Sequence, residues 1–200
     1  GDLIIRPAKM RWTSLVAIAV ICTIGVILVL RLSFPLELEW MEGGVLHQAL
    51  RLQQGESIYP PPSPEFVPFL YTPLYPALLA VLGTLLPLDF ALGRTVSVLA
   101  TVAILAGLYR AVGREGRSRT HQAVAMGLFM SGYVFAFRWM DLARPDSLYL
   151  ALTLWGLVLL RESWGNHRKA IVAGLLIALG FWTKQTAASF IIASGVGALI

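Results

Sequence analysis

The stretch WTSLVAIAVICTIGVILVL, Trp12 to Leu30, lies between Arg11 and Arg31 with no charged residue inside it. A run of this length spans the hydrocarbon of a bilayer as one α-helix. Basic residues (Arg6, Lys9, Arg11) precede it, as they also precede a secretory signal. The run is longer than the apolar part of a signal peptide, however, and Arg31 to Glu42 offers no small-x-small cleavage pattern. We read it as an uncleaved first span.

The rest of the chain repeats the theme. It is 57% hydrophobic and 14% charged, with a mean hydropathy of +0.72, where a soluble domain carries about a quarter charged residues. Apolar runs at 90–109, 122–137, 147–160, 170–183 and 186–200 join 12–30 to give six expected spans. The run 74–86 follows prolines, stops at Pro87 and is short for a crossing, so a juxtamembrane or re-entrant helix is expected there. If it does not cross, the clusters Arg6/Lys9/Arg11, Arg110/Arg114/Arg117/Arg119 and Arg161/Arg168/Lys169 share one side, which the positive-inside rule makes cytoplasmic. The net charge of +5 and pI near 9.7 then reflect topology, and no nucleic-acid partner is expected. The one cysteine, Cys22, falls inside the first run and offers neither a disulfide nor a cysteine metal site. The expected fold is an all-α integral membrane bundle with a long first outer loop, 32–89, bearing helices near 39–54 and 74–86. Residues 1–200 are expected to be the N-terminal part of a single, longer transmembrane domain.

On that topology eight of the eleven acidic residues fall on the outer side: Glu37, Glu39, Glu42, Glu56, Glu65, Asp89, Asp141 and Asp146. At about 100° per residue, Val45, Leu46, Ala49, Leu50 and Leu52 form an apolar stripe on 39–54, opposed by His47, Gln48, Arg51 and Gln54. Glu42 falls within the stripe and Glu39 at its edge. Burial raises a carboxylate pKa toward the range of a general base, so Glu42 is the first catalytic candidate and Glu39 the second, with Asp141 on the next outer loop a third. Both glutamates also suit a first helical turn electrostatically. The following YPPPSPEFVPFLYTPLYP (Tyr59–Pro76) holds seven of the eleven prolines and should run extended along the interface, with Tyr71 facing a site. The loop RWMDLARPDS (Arg138–Ser147) gathers Arg138, Asp141, Arg144 and Asp146; Pro145 suits a first helical position and Asp146 its first turn. Capping leaves the other three unexplained, and ionisable groups packed between spans mark function. Lys184 stands at an outer helix end, where it can snorkel or hold phosphate. Cations above an acidic base suit a leaving group that is a lipid phosphate.

The order of these motifs resembles the membrane glycosyltransferases of the GT-C fold that use polyprenyl-phosphate sugars, near glycosyltransferase family 39, the protein O-mannosyltransferases and their bacterial relatives. The resemblance is carried by Glu39-Trp-Met-Glu-Gly, Gly55-Glu-Ser-Ile-Tyr, Tyr71-Thr-Pro-Leu-Tyr-Pro, Gly93-Arg-Thr-Val-Ser, Asp141-Leu-Ala-Arg-Pro-Asp-Ser-Leu and Gly180-Phe-Trp-Thr-Lys. It implies an acidic pair on the first outer loop that activates the acceptor. Met41-Glu42 stands where Asp-Glu is expected, so the pair is incomplete unless Glu39 substitutes. It further implies that Asp141 and Asp146 form a second acidic motif, with Arg144 and Lys184 at the donor phosphate. The implied reaction is hexosyl or pentosyl transfer, with inversion, to a lipid, glycan or protein acceptor at the outer face of an inner (plasma) membrane. Some relatives use a divalent metal, but one or two carboxylates per loop define no metal ligands here. A transporter or lipid flippase, or a subunit without activity, is the competing reading. A transporter predicts internal repeats and charges at mid-membrane, whereas the charges here gather toward one face.

Overall fold

The computed structural model describes residues 7–197. It is all-helical, with no strand among the described residues: α1 Pro7–Leu32, α2 Met41–Gln53, α3 Leu74–Leu82, α4 Phe90–Arg114, α5 Arg119–Ser131, α6 Pro145–Arg161, α7 His167–Thr183 and α8 Ala188–Gly197, with short 3₁₀ turns at Trp139–Asp141 and Gln185–Ala187. Arg6 and residues 198–200, which belong to the expected N-terminal charge cluster and sixth span, lie outside the described residues.

Local chemistry sets the boundaries. Asp89 caps α4, its Oδ1 accepting from the Leu92 N–H at 2.9 Å, and Asn166 caps α7 through Lys169 N–H at 3.1 Å. Each satisfies one of the amide donors a helix start leaves unpaired. Pro145 opens α6 with its preset φ and no N–H to lose. Gly55 follows α2 at φ +74°, a left-handed position that glycine reaches without strain.

Trp12–Leu32 of α1 and the whole of α4 are long and apolar enough to cross a membrane. The faces they leave uncovered are apolar too, with Val16, Val26, Val29, Leu30, Leu99 and Val102 all more than half exposed. Such patches are expected of a surface solvated by lipid rather than water. α3, at nine residues, extends about 14 Å, far short of the ~30 Å hydrocarbon core.

α6 packs on α7, α1 on α5, and α4 on α6. Small residues permit the close crossings: a β-carbon on Gly127 of α5 would meet the Ala17 β-carbon of α1 at 2.8 Å. The ends of α1 and α7 and the starts of α4 and α6 meet at one end of the bundle, where α2 and α3 also lie. The end of α4, the start of α5 and the α6–α7 turn meet at the other, as the Arg110–Glu162 and Arg161–Glu115 pairs and the bond from Gln122 to Tyr109 O show.

Two local expectations change. Helix α5 stops at Ser131, although the apolar run continues to Phe137; the Gly132 N–H closes the helix on Leu128 and Phe129, and Phe137 and Arg138 turn left-handed at φ 51° and 61°. On α2 the buried face is Met41, Glu42, Val45, Gln48 and Ala49, while Leu50 is 42% exposed. The apolar stripe is thus rotated: α2 packs against Tyr75, Leu79 and Leu92 of α3 and α4, which carries Gln48 inward and Leu50 out.

Candidate active site

Glu42 sits in the first turn of α2, fully buried, and faces Arg94, fully buried on α4. Arg94 donates from Nε to Oε1 at 2.9 Å and from Nη2 to Oε2 at 2.7 Å. The N–H groups of Ala143 and Leu38 add bonds to Oε1 and Oε2, each at 2.8 Å. Four donors fill the four acceptor positions of a carboxylate. Burial pushes the Glu42 pKa up, but the Arg94 bonds, the two backbone amides and the charge of Arg94 outweigh it and hold the group below its ordinary value. The remaining Arg94 donors go to the carbonyls of Phe34 (2.6 Å), Leu36 (2.8 Å) and Arg31 (3.3 Å). A single guanidinium therefore ties the exit of α1, the start of α2 and, through Glu42, the loop before α6. In this geometry the four acceptor positions of Glu42, the first catalytic candidate of the sequence, are all occupied.

The loop before α6 is pinned from beneath by small polar side chains. Ser97 Oγ donates to Arg144 O (3.3 Å), while Thr101 Oγ1 and Ser147 Oγ donate to Met140 O (2.9 and 3.1 Å). Gly93 lets the loop lie directly on α4, since a β-carbon there would meet that of Ala143 at 2.5 Å.

On this support a second, more open charged centre is built. Arg144 Nη1 donates to Glu39 Oε2 (2.7 Å), its Nε to Asp146 Oδ2 (3.0 Å), and its guanidinium lies 4.4 Å from the centre of the Trp139 ring. Lys184 Nζ, just beyond α7, donates to Asp146 Oδ1 at 2.5 Å. Three rings surround that ammonium, Tyr71 at 5.2 Å, Tyr149 at 5.7 Å and Trp139 at 5.9 Å, close enough for cation–π attraction. Thr72 bonded to Phe181 O (3.0 Å) and Gln185 bonded to Leu70 O (2.7 Å) fasten the Pro-rich segment to the end of α7, which brings Tyr71 there. The Glu39 side chain is 19% exposed and those of Asp146 and Lys184 each 13%. Burial acts to lower the Arg144 pKa, but hydrogen bonds and charge from Glu39 and Asp146 raise it overall; burial foremost raises that of the Tyr71 phenol.

Asp141 belongs to a third group. Its buried carboxylate accepts from Arg31 Nε at 2.6 Å and Tyr133 OH at 3.2 Å. Burial pushes its pKa up more strongly than Arg31 and Tyr133 bring it down. Arg138 is exposed and acts electrostatically on Tyr133 rather than joining Arg144. The structure thus brings Glu39, Arg144, Asp146, Lys184 and Tyr71 together, and sets Glu42, Asp141 and Arg138 apart from them. Among the described residues no group of three or more His, Cys, Asp or Glu side chains is gathered as a metal would require. Glu39 and Asp146 are instead held by cations.

A model of glycosyltransferase family 87 matches residues 69–197, well over half of the chain. The chain belongs to glycosyltransferase family 87. No curated protein and no solved structure matches it. Membership makes the chain part of a transferase that takes a sugar donor and an acceptor, and together with the apolar helices α1 and α4 it marks a membrane protein. The matched region holds Tyr71, Arg94, Asp141, Arg144, Asp146 and Lys184; Glu39 and Glu42 precede it. The family reached is 87, and the closer likeness to family 39 is not carried by this match.

The sequence assigns no site role to Arg94, Arg31, Trp139 or Tyr149. Arg94 had a legible signal: a guanidinium four residues into the apolar run from Phe90 must find a partner. Trp139 and Tyr149 had none, because their convergence on Lys184 depends on how α6 and α7 pack.

Proposed function

We propose that this glycosyltransferase moves a hexosyl or pentosyl group from a polyprenyl-phosphate donor to a lipid, glycan or protein acceptor at the outer face of the membrane. The proposed architecture is a GT-C-like multi-span bundle with a cytoplasmic N-terminus in the cell's inner (plasma) membrane. The observation that carries the reading is the open centre of Glu39, Arg144, Asp146 and Lys184, two carboxylates and two cations joined at 3.0 Å or less. A guanidinium and an ammonium on one carboxylate match the needs of a departing phosphate, whose charge they stabilise as the bond from the anomeric carbon breaks. Glu39, beside them and partly open, is the proposed base. In the proposed step the entering sugar parts Glu39 from Arg144, so that Glu39 takes the proton of the acceptor hydroxyl on the face opposite the phosphate as the new glycosidic bond forms, which inverts the anomeric configuration. Tyr71, Trp139 and Tyr149 supply apolar ring faces against which a sugar can rest. Glu42 and Asp141 act as anchors under this proposal.

The test is transfer of radiolabelled sugar from polyprenyl-phosphate donors by membranes holding the full-length protein. Glu39→Gln is expected to lower transfer about 100-fold or more at normal protein level, the scale of a lost general base. Undiminished transfer by Glu39→Gln would move the base to Asp146, and no transfer by the wild type from any lipid-linked sugar would defeat the donor assignment.

A further inference from the structure

At the end of the bundle away from this site, Glu162 at the close of α6 is the focus of three cations. Arg110 donates to it from Nε (2.8 Å) and Nη2 (2.5 Å), Arg114 from Nε (3.0 Å), and Lys169 Nζ stands at 3.5 Å. The Glu162 side chain is 7% exposed, whereas those of Arg114 and Lys169 are 59% and 39% exposed. Beside it Arg161, 74% exposed, pairs with Glu115. The group holds two more cations than carboxylates, and the bonds from Arg110 foremost keep Glu162 ionised by holding its pKa down to about 2.

Between these residues lies a cavity of about 240 Å³, lined by Ala111, Arg114, Glu115, Val158, Arg161 and Glu162. Its apolar lining is Ala111 of α4 and Val158 of α6, and its polar lining is the two pairs Arg114–Glu162 and Arg161–Glu115, with Arg110 and Lys169 on Glu162 supplying the excess positive charge. Trp164 in the α6–α7 turn is 99% exposed and Leu160 is 44% exposed. An exposed tryptophan beside an apolar helix end is the usual mark of the headgroup level of a bilayer. Arg110 is committed, being bidentate on Glu162 and packed on Trp155 at 6.0 Å. Arg114 and Arg161 are the cations that line the cavity, and they are the most exposed of the four.

We propose that this cavity seats the phosphodiester headgroup of an anionic phospholipid, held by Arg114 and Arg161, with its acyl chains against α4 and α6. The chemistry is that of a phosphate anion. The lipid source is favoured over a free anion because the cavity opens at the end of apolar helices beside Trp164, where a headgroup already lies. Basic pockets between helices at this level suit acidic lipids. The proposal does not depend on the assignment of the donor or the base at the other end.

The experiment uses the full-length protein in nanodiscs of equal phosphatidylglycerol and phosphatidylcholine, with retained lipid counted by native mass spectrometry. The wild type is expected to retain phosphatidylglycerol in preference, and Arg114→Ala/Arg161→Ala to lower that preference on the order of tenfold. Arg114→Lys/Arg161→Lys should largely keep it. Glu162 still has Arg110 and Lys169 in the double variant; if that variant nevertheless fails to fold, Arg161→Gln, which alters only the rim pair with Glu115, should lower retention by itself. Equal retention of the two lipids by the wild type, or a preference unchanged in the variants, would overturn the proposal. Displacement of the lipid preference by millimolar inorganic phosphate would overturn the lipid source and leave a free-anion site.

Discussion

Glu42 and Glu39 lie three residues apart, yet they sit in different worlds. Glu42 is sealed from solvent, with both oxygens saturated by Arg94 and two backbone amides. Glu39 shares Arg144 with Asp146 at the edge of an open, ring-lined centre. The first arrangement is a structural staple: its Coulomb gain is spent against desolvation, and what it achieves is the joining of α1, α2, α4 and the loop before α6. The second keeps Glu39, Asp146 and Lys184 partly hydrated, which suits the exchange of partners with a substrate that the proposed mechanism asks of them. A buried carboxylate is therefore not by itself a base; what matters is whether a lone pair is left over.

The sharpest way to break this contrast is to remove one half of the sealed pair. Arg94→Leu leaves Glu42 buried without its counter-ion and takes a donor from the carbonyls of Phe34 and Leu36, a defect expected to cost about 3–5 kcal/mol. Thermal unfolding in detergent should show little or no folded protein. Glu42→Leu/Arg94→Leu, which removes both charges, should recover part of that loss. If the double variant is no better than the single one, the pair is not the unit described.

At the open centre the same test should give the opposite pattern. Glu39→Gln leaves the buried Arg144 paired with Asp146 and still able to donate to the new amide oxygen, so stability should change by about 1 kcal/mol, while transfer falls about 100-fold or more. A variant that unfolds instead would erase the distinction between the two centres. Lys184→Ala should lower kcat/KM for the lipid-linked donor by about 10- to 100-fold, with Lys184→Arg partly restoring it, because the role assigned is charge on a leaving phosphate. Loss confined to acceptor KM would place Lys184 on the acceptor side.

Much of the framework was readable from the chain alone because it rests on local rules. Pro145 at the start of α6 and the shortness of α3 between Pro73 and Pro87 both follow from backbone chemistry within a few residues. The burial of Glu42 follows from its place on the helix, but its partner does not, since Arg94 stands 52 residues away. Pattern on one helix shows that a charge is buried; only the packing of two shows what neutralises it. The misplacement of Gln48 and Leu50 has the same origin, because a wheel assumes one partner surface and α2 packs on α3 and α4 together. The ring cage of Lys184 joins residues 71, 139 and 149, a convergence no spacing encodes.

The smallest effect, and the finest probe of the comparison, is acid. Glu42 has a folded pKa below its ordinary value, so the native state binds fewer protons than the unfolded chain there; its contribution is present above the ordinary carboxylate pKa and is lost as pH falls through the lowered one. Asp141, with burial dominant, has a raised folded pKa, so its contribution has the opposite sign, greatest below the ordinary value and lost as pH rises through the raised one. Thermal unfolding of wild type, Glu42→Gln and Asp141→Asn from about pH 7 down to about pH 3 reads both signs. On acidification the deficit of Glu42→Gln relative to wild type should shrink, because the wild type loses what the variant already lacks. Any deficit of Asp141→Asn should grow, because only the wild type gains from protonation. Parallel curves for the two variants would mean that the two buried carboxylates are held alike, and that saturation by donors is not what separates them.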